Sequence, residues 1–232
     1  MYSMMRPHSL LAGLAALLLP AAWLGSASFA SALANDSRAF SSQEEQRLRD
    51  GHLVVRPTEV IRGKSRFMGG LSWQLVNASP ERVWRALSDV RTYHRYLPAV
   101  EEAKFVELSG NEQRLFIRHR MGFISASYFV LAAPDGAKGR VSFRLDRSRP
   151  SSIRDAFGEV RVTAYPQGRS VVSLAILADV GDGLLAGLVR SNIHEWMLRV
   201  PEQLKKFVES GGPDAAVPNT EAADRTPRVQ AG

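Results

Sequence analysis

The chain has 232 residues, 45% of them hydrophobic, and a formal net charge of +7, which suits one main domain with appendages. Cysteine is absent, so disulfides, cysteine nucleophiles and thiolate metal sites are excluded. The fold must therefore be held by its core alone.

The first 34 residues are predicted to be a cleavable signal peptide. Arg6 precedes the apolar run LLAGLAALLLPAAWLG, and the small residues Ala32 and Ala34 fit a signal-peptidase site with cleavage after Ala34. Pro20 interrupts the run, which is shorter than the roughly 20 apolar residues of a spanning helix. We expect a periplasmic or secreted protein; the alternative is an N-terminal membrane anchor.

The mature chain begins with a polar lead-in over residues 35–50, where SSQEEQRLRD indicates a short helix. Alternation over 52–60 and, more clearly, over 65–76 predicts two strands. Ser79 is suited to cap a following helix and Pro80 to its first position. We expect a first short helix there and a second one that ends at Pro98.

From Val100 the hydrophobic period changes to that of strands. Six are predicted, separated by turns such as SGN, PDG and PQG: 100–108, 113–121, 124–133, 140–145, 159–165 and 170–178. Such a meander must bury one face.

A long C-terminal helix is expected to cover that face. Apolar residues recur there at steps of three or four: Leu185, Val189, Ile193, Trp196, Val200, Leu204 and Phe207. Pro201 should bend this helix, and Gly181 to Gly183 could act with it as a hinge. The tail at 211–232 has the composition of a disordered segment.

Four pieces in this order carry a family resemblance: S-P-E-x-V-W at 79–84, D-x-x-x-Y-x-x-Y-L-P at 89–98, Gly158 before a strand, and V-P-x-x-L-K at 200–205. Together they resemble the START-like (SRPBCC) superfamily, in its polyketide cyclase and coenzyme Q-binding branch. The resemblance spans the domain at 51–210. It departs from the branch at Val160, where a tryptophan often occurs.

The resemblance implies an α+β helix-grip fold. In that fold a curved antiparallel sheet wraps around a long C-terminal helix, two short helices follow the first strands, and an apolar cavity lies between sheet and helix.

No catalytic residue, metal site or cofactor is predicted. No serine lies in a G-x-S-x-G motif. The five histidines lack H-x-H or H-E-x-x-H spacing: His8, His52, His94, His119 and His194. Strict alternation over 113–121 would place His119 on an apolar face with Leu115, Ile117 and Met121. There it could bind a ligand carbonyl or act as acid or base; the alternative is a histidine bonded to a backbone group.

The predicted ligand pocket combines aromatic and apolar side chains with a few polar tips: Tyr93, Tyr96, His119, Tyr128, Phe143, Ile193 and Met197. Trp84, Phe105 and Trp196 could also line it. For each of these side chains ordinary core packing is the alternative.

The function expected from these observations is binding or transfer of an apolar ligand, lipid or quinone-like, by an exported protein. One alternative is an aromatase or cyclase acting on a polyketide-like substrate with His119 and Tyr128; another is a regulatory module that senses an apolar molecule. The basic charge favours an anionic membrane surface as a further partner. Export argues against nucleic acid.

Overall fold

The structure, a computed structural model, describes residues 40–182 and 193–212. In chain order the elements are helix α1 (Ser42–Arg49), strands β1 (Val54–Arg62) and β2 (Ser65–Val76), helix α2 (Pro80–Ser88), a 3-10 helix (Val90–Arg95), strands β3 (Val100–Ser109), β4 (Glu112–Met121) and β5 (Ile124–Asp135), a 3-10 turn (Gly136–Lys138), strands β6 (Arg140–Leu145), β7 (Asp155–Tyr165) and β8 (Arg169–Asp179), and helices α3 (Ile193–Leu198) and α4 (Val200–Glu209).

The strands form one curved antiparallel sheet of eight, in the order β1-β2-β8-β7-β6-β5-β4-β3. The chain reaches the far edge early, because α2 and the 3-10 helix connect β2 to β3. The meander then returns strand by strand until β8 pairs with β2. One face of this sheet packs against α2 and α4, as the helix-grip expectation requires.

The predicted strands are confirmed, with one difference at β7. Its predicted start is residue 159, but the strand begins at Asp155. Gly158 therefore lies inside β7, between Phe143 of β6 and Ile176 of β8. A glycine inside a strand pattern is easily taken for the end of a turn.

The two helices after β2 form as their caps indicate. The Ser79 side chain accepts a hydrogen bond from the Arg82 backbone, and Pro80 occupies the start of α2. The next segment is a 3-10 helix, in which Asp89 accepts a hydrogen bond from the Arg91 backbone. α2 buries its apolar stripe, including Val83 at 0% exposure, in the main core.

The C-terminal helix is divided within its described part. Arg199 lies in a turn between α3 and α4, because Pro201 in the first turn of α4 has no backbone N–H to continue the ladder of α3. Leu204, Phe207 and Val208 of α4 are buried in the main core. Ile193 begins α3, but its side chain lies outside the described residues, as do Leu185 and Val189.

Trp196 is less covered than the other described positions of the predicted stripe. Its side chain is 37% exposed, whereas Leu198 is buried. Trp196, Met197 and Val200 nevertheless line one cavity against the sheet, so the predicted stripe continues across the turn at Arg199.

No helix of the described residues is long and apolar enough to span a membrane. The predicted signal peptide and the tail beyond Gly212 lie outside these residues.

Candidate ligand-binding site

A cavity of about 260 Å³ lies between the sheet, the 3-10 helix and the C-terminal helices. Strands β4 to β8 supply most of its wall, and α3 and α4 supply Trp196, Met197 and Val200. Among the described lining residues, five carry polar groups in their side chains: Tyr93, Tyr96, His119, Tyr128 and Trp196. The remaining lining side chains are apolar.

Strict alternation along β4 directs the His119 side chain into the cavity. Leu115, Ile117, His119 and Met121 all line the cavity. The intervening side chains lie on the other face, where Arg118 packs over the Phe116 ring at 5.3 Å. The two faces of β4 are therefore those expected from the sequence.

His119 makes two hydrogen bonds through its two ring nitrogens. Nδ1 lies 3.0 Å from the Pro98 carbonyl oxygen, and Nε2 lies 2.7 Å from the Tyr128 hydroxyl. The two rings also stack with their centroids 5.5 Å apart. His119 is thus both a backbone-bonded histidine and a cavity-lining one, and both sequence interpretations describe part of its environment.

Burial keeps this pair uncharged near neutral pH. It lowers the pKa of His119 below its ordinary value of 6.5, although the bond to the Pro98 carbonyl opposes the shift. Burial raises the pKa of Tyr128 well above its ordinary value. No Asp or Glu is among the described lining residues, so no carboxylate there orients the imidazole.

Tyr93 and Tyr96 also line the cavity, but their hydroxyls bond to the last turn of α2. Tyr93 donates to the Leu87 carbonyl at 2.9 Å, and Tyr96 donates to the Ala86 carbonyl at 3.4 Å. These bonds satisfy carbonyls that a helix end leaves without partners. Burial raises the pKa of Tyr93 to about 12, and Tyr96 stacks on Phe207 with centroids 5.7 Å apart.

The structure brings six of the seven predicted pocket residues to this one cavity: Tyr93, Tyr96, His119, Tyr128, Phe143 and Met197. The seventh, Ile193, has its side chain outside the described residues. That these residues bind a ligand stays a prediction.

Two aromatics named as further lining candidates lie elsewhere. Phe105 is 50% exposed on the edge strand β3, where a bulge between Phe105 and Glu107 shifts the register. The Trp84 ring lies against the turn at Gly136. The partner of His119 at Pro98 is a backbone carbonyl, which the sequence does not identify as a site group.

The sequence matches a family model over most of the folded domain. The family model "Polyketide cyclase / dehydrase and lipid transport" matches residues 72–208, a span that contains the described lining residues from Leu87 to Val200. No curated protein matches the sequence significantly.

Two solved structures share the fold. A STAR-related lipid transfer protein from Xanthomonas axonopodis is 14% identical, with 68% of this chain and 92% of that chain covered and a TM-score of 0.55. The protein TTHA0849 from Thermus thermophilus is 18% identical, with 61% and 97% covered and a TM-score of 0.51. At these identities the likeness concerns the fold alone.

Proposed function

The chain belongs to the polyketide cyclase/dehydrase and lipid transport family, and on this basis we propose that it is an exported carrier of a small apolar molecule. The observation that carries the proposal is the cavity itself. It lies between sheet and helices, and among its described lining residues apolar side chains predominate.

The cavity size limits the cargo. Its volume of about 260 Å³ lies below the range of about 300–1,000 Å³ typical for drug-sized ligands. We expect the part of the cargo held inside to be a single apolar chain or a small ring system, such as the ring of a quinone-like molecule. Removal of apolar surface from water, worth roughly 25 cal/mol per Å², supplies most of the affinity.

An aromatase or cyclase is the second candidate, because His119 and Tyr128 form a polar pair inside the cavity. Three features favour the carrier over this enzyme. The imidazole is held by a backbone carbonyl rather than by a carboxylate, burial lowers the pKa of His119, and burial raises the pKa of Tyr128. Both shifts oppose the charged forms that acid–base chemistry passes through.

Cargo exchange at an anionic membrane is part of the proposal. Phe123 is 93% exposed in the turn between β4 and β5, two residues from Met121 of the cavity wall. An exposed aromatic ring beside an apolar cavity is suited to enter a bilayer surface, and the net charge of +7 favours anionic lipids. The signal peptide would bring the protein to the periplasm or outside.

Protein purified from its native source would test the carrier. Native mass spectrometry and extraction should reveal a bound apolar molecule, and the emptied protein should take up a fluorescent fatty-acid probe. His119→Ala should weaken uptake only modestly, because apolar burial dominates the affinity. An enzyme would behave in the opposite way, losing turnover while it retains binding. A protein without cargo or uptake would contradict the proposal.

A further inference from the structure

The hydrogen bonds of His119 determine where its proton is. A carbonyl oxygen can only accept, so the nitrogen that faces Pro98 must be the donor. In the neutral imidazole the other nitrogen, Nε2, then has no proton and accepts. The contact of 2.7 Å to Tyr128 is therefore a bond in which the tyrosine hydroxyl donates.

This arrangement uses the single hydroxyl proton of Tyr128. Within the described part of the chain, the Tyr128 hydroxyl makes no hydrogen bond besides that to His119. Its oxygen retains a lone pair for a donor inside the cavity. Burial lowers the pKa of His119, which keeps the imidazole in the neutral form that this pattern needs.

The other hydroxyl groups among the described lining residues also donate their protons to groups of the protein. Tyr93 and Tyr96 donate their protons to the carbonyls of Leu87 and Ala86. The remaining side-chain donor is the indole N–H of Trp196, which lies on α3 and is 37% exposed. At the wall formed by the described part of the sheet, the cavity offers hydrogen-bond acceptors and no free hydroxyl donor.

We propose that the cavity selects apolar molecules that carry a hydroxyl group over the matching ketones. The Tyr128 oxygen is the hydrogen-bond acceptor for the ligand, because His119 accepts the Tyr128 hydroxyl proton and so prevents Tyr128 from donating. This inference rests on the proposed carrier function and names its cargo class more closely. A ligand hydroxyl donates to the Tyr128 oxygen. A ligand carbonyl buried at the same wall finds no donor, and an unsatisfied buried polar group is costly.

Three probes with the same bicyclic skeleton test this: the hydrocarbon tetralin, the alcohol tetralol and the ketone tetralone. Their dissociation constants are measured by calorimetry for the wild type and for His119→Phe. The variant keeps an aromatic ring beside Tyr128 but frees the Tyr128 hydroxyl to donate into the cavity. The tetralone-to-tetralol ratio of dissociation constants should fall roughly tenfold in the variant. Comparing ratios cancels the different hydration of the probes.

The outcomes separate the two proposals. Tetralin binding with a ratio unchanged by His119→Phe would overturn the inference about polarity and leave the carrier standing. Binding of none of the three probes would overturn the inference, and if the fluorescent fatty-acid probe is not taken up either, the carrier falls with it. If His119→Phe does not fold, the ¹⁵N chemical shifts of the wild-type imidazole decide. They should show a protonated Nδ1 and an unprotonated Nε2, and the reverse assignment would overturn the inference.

Discussion

Phe143 of β6 lies so close to Gly158 of β7 that a Cβ atom on residue 158 would be 2.5 Å from the Phe143 ring. The same atom would be 2.4 Å from the backbone oxygen of Ala175 on β8. The absence of a side chain at 158 is therefore what allows the Phe143 ring to lie across the strand as part of the cavity wall.

Gly158→Ala should destabilise the protein by about 1–3 kcal/mol, because the added methyl group must displace either a ring or a backbone. Urea unfolding monitored by circular dichroism measures this. Gly136→Ala is the matched control, since its Cβ would meet the Trp84 ring at an ordinary 3.5 Å. Equal losses in the two variants would show that the crowding at 158 is not the cause.

Leu204→Ala should cost about 2–5 kcal/mol, the range for large-to-small changes in a core. Leu204 is 0% exposed and belongs to the main core. Lys206→Ala, on the exposed side of α4, should change stability by less than about 0.5 kcal/mol. An unfolding midpoint unaffected by Leu204→Ala would contradict the packing of α4 on the sheet.

Acid should weaken the attachment of α1. The Arg56 side chain, with help from the Ser41 backbone, lowers the pKa of Glu44 from 4.5 to about 2. A lowered carboxyl pKa gives stability that is present above the unfolded value and is lost as the pH falls through the folded value. The loss should therefore fall between about pH 4.5 and pH 2.

Glu44→Gln should remove this part of the pH dependence, measured as the difference in melting temperature between about pH 6 and pH 2. Glu45→Gln is the control, because Glu45 forms an exposed ion pair with Arg49 one turn away. If the wild type and Glu44→Gln lose the same number of degrees, Glu44 does not contribute as described.

Filling the cavity should abolish uptake without unfolding the protein. Ala126 lines the cavity opposite His119 in the register of β4 and β5. Ala126→Phe should cost about 1–3 kcal/mol by overpacking and should prevent uptake of a fluorescent fatty-acid probe. Ser125→Phe adds the same ring to the exposed neighbouring position and should leave uptake intact. Unimpaired uptake by Ala126→Phe would show that the probe does not bind in this cavity.

Membrane docking should depend on Phe123. Phe123→Ser should weaken cosedimentation with vesicles rich in anionic lipid by about tenfold or more, since burying a phenylalanine is worth about 1.5–3 kcal/mol. Phe105→Ser removes another exposed aromatic, on edge strand β3, and should have little effect. Similar losses for both would indicate general attraction rather than docking through this turn.

The parts of the fold that follow from short-range pattern could be predicted from the sequence. Alternation along β4 placed His119 correctly, and the Ser79-Pro80 start of α2 is a matter of adjacent residues. The partial exposure of Trp196 could not be predicted in this way, because it depends on how much of the ring the neighbouring elements cover. Helical periodicity gives the face on which a side chain lies but not the extent to which it is covered.

Only one of the two hydrogen-bond partners of His119 could be predicted from the sequence. Tyr128 is the diagonal neighbour of His119 on the paired strand, two residues beyond Ala126, so their contact follows once the β4–β5 turn is recognised. The Pro98 carbonyl is a backbone group 21 residues earlier, and no side-chain pattern identifies it. The His119 tautomer, and with it the direction of the hydrogen bond between His119 and Tyr128, follows only from the folded structure.

The place of β8 in the sheet also bears on when the protein can fold. β2 pairs with β8, so that Val76 lies opposite Ser170, while the intervening chain builds the rest of the sheet. Pairing between such distant segments is slow, and the first hairpin lacks its neighbour until β8 has been synthesised. The sheet can therefore close only after β8 has been made, and under the proposed export the machinery would receive a chain whose sheet has not yet closed.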